Sequence, residues 1–222
     1  MVTWLQETND VYQGQFGEFT VTTQDRLSVV LYRAGLTTAA IAFALGTLLV
    51  LGWANQPGLT MVLDLLLVLF SAALGLSLWT IHIYLKPLHL ALKLFWGLGC
   101  AAALWIMATQ PQSLTTSLYP PFAFELMGVG FIFVALTGLF VKEAFCFNRP
   151  QAKALILLVP ILLLGHWLGA LSMPIEKGLL GTWAILFLWF ALDKDIQPIP
   201  PDLGDKTVFE YLHQRQHAAV NE

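Results

Sequence analysis

Asp64, Glu125 and His166 are ionisable side chains that stand inside apolar runs of this chain. Charge is costly in a lipid interior, so each is a candidate for moving a proton, holding a cation or meeting a polar group of a partner. Counted from the ends of their runs, the three lie at similar depth on the side poor in Lys and Arg, where they could converge on one intramembrane polar site. The plainer reading has Asp64 and Glu125 reaching the interface while His166 bonds a neighbouring carbonyl. Two further histidines, His82 and His89, flank a turn in Ile81-His82-Ile83-Tyr84-Leu85-Lys86-Pro87-Leu88-His89. Imidazoles at the ends of adjacent antiparallel helices could ligate the metal of a chlorophyll or haem, or else simply meet water and lipid headgroups. His213 and His217 are four apart on a possible surface helix, but two ligands rarely make a metal site.

The run Lys142-Glu143-Ala144-Phe145-Cys146-Phe147-Asn148-Arg149-Pro150 joins two apolar stretches and reads as a charged turn. Lys142, Phe145, Phe147 and Arg149 put aromatic and cationic groups together at a membrane face. That combination suits docking of a protein or an anionic lipid, and equally a positive anchor with its aromatics in the interface. Metal-ligand spacing, a nucleophile elbow, a glycine-rich phosphate loop and paired catalytic carboxylates are all missing from the sequence, which reads as a non-enzyme with no metal.

Hydrophobic residues make up 57% of the chain and charged ones 11%, against about 25% charged in soluble domains. A net charge of -3 offers no basic face for nucleic acid. The apolar runs are long enough to cross a hydrocarbon core of roughly 30 Å. They fall at about residues 27–53, 59–84, 88–107, 122–141, 154–172 and 178–192, and the second and third should be antiparallel neighbours. The first should start at a capping box formed by Thr22 and Asp25, with Arg33 near enough to its end to snorkel out, and Pro160 should bend the fifth. The spacing predicts an all-α, polytopic membrane bundle of six transmembrane helices embedded in the lipid bilayer. Residues 1–26 form a surface segment, 27–193 the six-helix domain and 194–222 a Pro-rich tail that starts as an extended spacer. Of the eleven Lys and Arg residues, ten fall on one side and Lys177 alone on the other, which puts both termini in the cytoplasm. Small residues four apart, Gly35 and Ala39, Ser71 and Gly75, Gly97 and Ala101, and Gly165 and Gly169, mark places for close helix contact. The last pair, beside His166, is the first choice.

The stretch from Val11 to Val21, the pair Asp25-Arg26 followed by Leu31-Tyr32-Arg33, and the Lys142 to Phe147 run followed by Gly165-His166 resemble an uncharacterised integral membrane protein family of cyanobacteria and plants. The resemblance implies a thylakoid or plasma membrane of a cyanobacterium or other oxygenic phototroph, and carries over no catalytic residue. It sets the expected function: an auxiliary or assembly factor that associates with photosynthetic membrane complexes, with photosystem subunits as partners. A small ion or solute transporter using Asp64, Glu125 and His166, and a chlorophyll or haem binder using His82 and His89, are the alternatives.

Overall fold

A computed structural model of the protein describes residues 10–54, 56–208 and 211. A short antiparallel hairpin comes first, β1 (Val11–Gln13) paired with β2 (Glu18–Thr20) in the register Tyr12 opposite Phe19. Six long apolar helices follow: α1 (Thr23–Trp53), α2 (Leu59–Thr80), α3 (Lys86–Thr109), α5 (Phe124–Phe147), α6 (Pro150–Trp167) and α7 (Met173–Ile196). Two short helices, α4 (Leu114–Leu118) and α8 (Pro200–Leu203), sit in the connecting segments. The protein is thus an all-α membrane bundle with six helices long and apolar enough to span.

The helices form a closed ring in the order α2, α1, α7, α6, α5, α3, with α2 and α3 touching lightly to complete it. α2 and α3 are neighbours as their short link requires, yet the main partner of α3 is α5. Aromatic rings fill the middle. Phe43 lies 4.3 Å from Trp183, Phe70 5.5 Å from Phe133, and Phe140 5.4 Å from Phe187 and 5.3 Å from Phe190, centroid to centroid. Such pairs add roughly 0.5–1.5 kcal/mol each beyond the area they bury.

α1 begins where Thr22 and Asp25 cap one another: the Thr22 hydroxyl accepts from the Asp25 amide and the Asp25 carboxylate from the Thr22 amide. At 31 residues it is about 46 Å long, well beyond a bilayer core, and Val29 near its start packs against the segments folded over it. The run at 142–150 is not a turn. α5 continues through Phe147, Asn148 closes it in the left-handed conformation (φ 53°), and Pro150 opens α6. Asn tolerates that conformation and proline suits a first helical position, so two residues suffice to reverse the chain. Pro160 is accommodated inside α6.

The segment after α7 is no free spacer. α8 folds back under the bundle, burying Asp202 and Leu203, and Leu203 joins Val21 and Val29 in a small second core against Tyr12 and Phe19. Hairpin and C-terminal segment also bind each other. Gln15 N–H donates to Asp205 at 2.5 Å, Lys206 Nζ reaches Asp25 at 2.8 Å, and Phe16 stacks on Tyr211 with centroids 4.1 Å apart. Both ends of the described chain therefore lie on one face of the bundle, the face rich in Lys and Arg.

Close approach occurs at Gly35, where a Cβ would come within 2.6 Å of the Ala73 carbonyl and the Ser77 hydroxyl. The favoured pair, Gly165 and Gly169, does not join two helices. Gly165 packs on Leu171 just beyond its own helix, and Gly169 (φ 61°) turns the chain after α6.

Candidate functional site

Arg33 does not snorkel. It points inward from α1 and meets Asp202 of α8, with Nε at 2.9 Å and Nη2 at 2.5 Å from Oδ2. Its remaining donors go to the backbone oxygens of Gln197 at 2.6 Å, Pro198 at 3.0 Å and Asp195 at 3.4 Å. The other carboxylate oxygen of Asp202 takes Lys194 Nζ of α7, and Lys194 also faces Glu143 Oε2 of α5 at 3.0 Å as an ion contact. Glu143 Oε1 accepts from Lys142 Nζ at 2.8 Å and from the Tyr32 hydroxyl at 3.0 Å. Glu143 and Lys194 are fully buried. Four elements thus meet through a chain of charges: α1, α5, α7 and α8.

The helix ends set this up. Because α5 runs on to Phe147, Lys142 and Glu143 stay on helical backbone at the level of Lys194, near the end of antiparallel α7. The Phe147 ring shields the cluster, its centroid 4.2 Å from Lys194 Nζ, 5.3 Å from Lys142 Nζ and 5.8 Å from the Arg149 guanidinium carbon. These distances suit cation–π attraction. Arg149 pairs with Asp193, whose carboxylate also accepts from Gln151 at 2.7 Å.

A cavity of about 570 Å³ opens beside the cluster, lined by His82, Tyr84, Lys142, Phe145, Cys146 and Asp202 among others. Of the four residues read as a docking face, Lys142 and Arg149 are turned into ion pairs and Phe147 covers them. Phe145 alone projects, 85% exposed. The reason is the helical course of 142–147, which places these side chains around an axis instead of fanning them from a loop. Burial pushes the Tyr84 phenol up, so it stays protonated, and its oxygen accepts from the Asp205 amide.

Asp64, Glu125 and His166 form no shared centre. Asp64 caps α4, accepting from the amides of Leu114 (3.0 Å) and Thr115 (2.8 Å) and from the Thr115 hydroxyl (2.8 Å). His166 bonds the Tyr119 carbonyl through Nε2 (2.9 Å) and Glu176 through Nδ1 (3.0 Å). Glu125, half-buried in the first turn of α5, makes no ion pair among the described residues. Asp64 and His166 each anchor the 110–121 connection at a different point. Replacing Asp64 by Ala should cost about 1 kcal/mol, the usual value of a helix cap. Amide exchange should quicken at Leu114 and Thr115, and unchanged protection there would contradict the capping role.

His89 Nε2 is engaged with the Leu78 carbonyl at 2.7 Å and is taken up within the bundle. His82 lies on the cavity wall. Burial lowers its pKa from the usual 6.5, with Lys142 and His89 adding to the effect and Asp25 and Asp202 opposing it. A histidine kept neutral in the fold is protonated more readily in the unfolded chain. Stability is then full above about pH 6.5 and falls as pH drops through that value toward the lower folded pKa. Melting in detergent should occur at a lower temperature at about pH 5.5 than at about pH 7.5, and His82→Gln should flatten part of that difference. An identical pH profile in the variant would exclude His82 as the group responsible. His213 and His217 lie outside the described residues.

The residues that bind the polar face together, Tyr32, Glu143, Lys194 and Asp202, were not singled out from sequence. One signal was there: Arg33 lies inside the first apolar run, and Lys142, Glu143 and Lys194 fall within a few residues of run ends, all on the same side. Such charges at equal depth are more economically paired with each other than carried singly to the interface.

Six apolar helices closed on an aromatic core, with a polar network sealing one end, define an integral membrane protein of the polytopic helical class. Residues 76–211 match the family described as "Uncharacterized integral membrane protein (DUF2301)", and the chain belongs to it. The matched stretch holds Lys142, Glu143, Lys194 and Asp202, while Tyr32, Arg33 and the hairpin precede it. No curated protein and no solved structure matches the chain.

Proposed function

We propose that this protein is a non-catalytic auxiliary or assembly factor that associates with photosynthetic membrane complexes, in the thylakoid or plasma membrane of a cyanobacterium, with its ends in the cytoplasm. The observation that supports a scaffold over a transporter is the aromatic core. Phe43, Phe70, Phe133, Phe140, Trp183 and Phe187 occupy the axis where a transport route would run. Arg33, Lys142 and Lys194 near the polar face are drawn to Glu143 and Asp202. Such a body is suited to being held and to holding, more than to passing a solute. The photosynthetic setting rests on the resemblance carried by Val11 to Val21, Asp25-Arg26 and the Lys142 to Phe147 run, and the cytoplasmic ends rest on the Lys and Arg asymmetry.

The test is affinity capture of the tagged full chain from mildly solubilised cyanobacterial membranes, read by mass spectrometry and by an absorption spectrum of the eluate. Enrichment of photosystem subunits over an unrelated tagged membrane protein is the expected result. A chain that elutes without them overturns the partner reading. Pigment bound to the isolated chain, lost on His89→Leu, would favour the chlorophyll or haem reading in its place. A flux lost on Asp64→Asn and Glu125→Gln would favour the transport one.

A further inference from the structure

Three cations, Arg33, Lys142 and Lys194, meet only two carboxylates, Glu143 and Asp202, in the sealed end of the bundle. The neighbouring pairs, Arg149 with Asp193 and Lys206 with Asp25, are each neutral, and Asp195, exposed beside Lys194, gives its carboxylate to the Thr37 hydroxyl and forms no ion pair with these cations. The surplus cation is Lys142. Only 8% exposed, it gives one hydrogen bond, to Glu143; among the described residues the rest of its ammonium meets no oxygen or nitrogen acceptor, only the ring faces of Tyr32 and Phe147, 5.9 and 5.3 Å away. The same side chain forms part of the wall of the 570 Å³ cavity. A buried ammonium with unused donors is expensive to keep, and the cost disappears if an anion takes them.

The cavity indicates what kind of anion. Its volume falls in the range of small-molecule sites, far more than a bare inorganic ion needs. Its wall is mostly apolar, with Ile83, Leu85, Leu88 and Val141 beside the polar groups. At its mouth Phe145 (85% exposed) and Leu85 (60% exposed) stand out from the surface, where acyl chains run. The position, at the span ends on the Lys- and Arg-rich face, is the level of lipid headgroups. Basic pockets of this kind between helix ends hold anionic headgroups.

We propose that this cavity is a binding site for a single anionic phospholipid, its phosphodiester taking the two free donors of Lys142 and its acyl chains lying along Phe145 and Leu85. The bound phosphate would complete the charge balance of the cluster, so lipid binding and the closing of α8 over the bundle end would favour one another. This inference does not depend on which complex the protein associates with.

The experiment is a thermal-shift titration of the purified, delipidated full chain in a neutral detergent, using phosphatidylglycerol, phosphatidylcholine with matched acyl chains, and inorganic phosphate. Phosphatidylglycerol should raise the melting temperature saturably, while the other two leave it unchanged. Lys142→Met removes the surplus charge and leaves two cations on two carboxylates. That variant should melt no lower than wild type without lipid and bind phosphatidylglycerol about tenfold more weakly. Should it fail to fold, Cys146→Trp crowds the cavity and leaves every charge in place, with the same weakening expected. Equal shifts from both phospholipids, or a phosphatidylglycerol shift retained in both variants, overturn the site. A shift given equally by inorganic phosphate overturns the lipid as its occupant.

Discussion

A Glu143→Leu variant is expected to lose about 3–5 kcal/mol of stability, because it strands buried cations in place of removing a contact. Glu143 is the common partner of Lys142, Lys194 and the Tyr32 hydroxyl, and none of its surface reaches solvent. With leucine there, Lys142 loses its one acceptor and Lys194 is left to share Asp202 with Arg33. Unfolding in a mild detergent, followed by tryptophan fluorescence against added denaturing detergent, measures the loss. Combining Glu143→Leu with Lys194→Met should return part of it, since a buried ion pair removed whole costs far less than one cut in half. The two single effects should therefore fail to add. A single variant within about 0.5 kcal/mol of wild type would mean that water reaches the cluster and screens it.

Gly35→Ala should cost about 1–3 kcal/mol by overpacking. The new methyl would stand 2.6 Å from a backbone oxygen, that of Ala73, which cannot swing aside as a flexible side chain does. It would also press on Ser77 Oγ, which donates to the Tyr32 carbonyl at 2.8 Å, one turn from the ion cluster. Gly97→Ala is the matched control: a Cβ at Gly97 meets nothing within 4 Å, so the change should be neutral or slightly stabilising through helix propensity. Equal melting of the two variants would show that α1 and α2 part without penalty.

Those two glycines also show where sequence reading stops. Both open a small-residue pair with four-residue spacing, and nothing in the spacing separates the one that touches from the one that does not, because the difference lies in which face α1 and α3 turn inward. The six spans were legible since apolar length is a property of each segment alone. So was the start of α1, because a capping box is complete within four residues. The turn at 142–150 was misjudged for a reason of the opposite kind: Lys142 and Glu143 look like loop residues until Lys194 and Asp202, some fifty residues on, arrive to neutralise them. Arg33 was given to the lipid headgroups on the same ground, its partner being α8, which reads as a proline-rich spacer. Asp64 and His166 were correctly noticed as ionisable groups out of place. Their partners are backbone groups of the 110–121 connection, a carbonyl for His166 as the plainer reading had it, together with the Thr115 hydroxyl and the Glu176 carboxylate, and no spacing along the chain says which groups these are.

The bond from Gln15 to Asp205 and the ion pair from Asp25 to Lys206 join positions separated by 190 and 181 residues. During synthesis the hairpin emerges well before the segment that fastens it. Until Asp202 emerges, Arg33 and Lys194 carry charge with one carboxylate fewer to meet it, so the nascent bundle holds an unsealed polar end. Closure is then a late event, made after the last span is threaded, and the N-terminal strands act as the catch that the final segment engages.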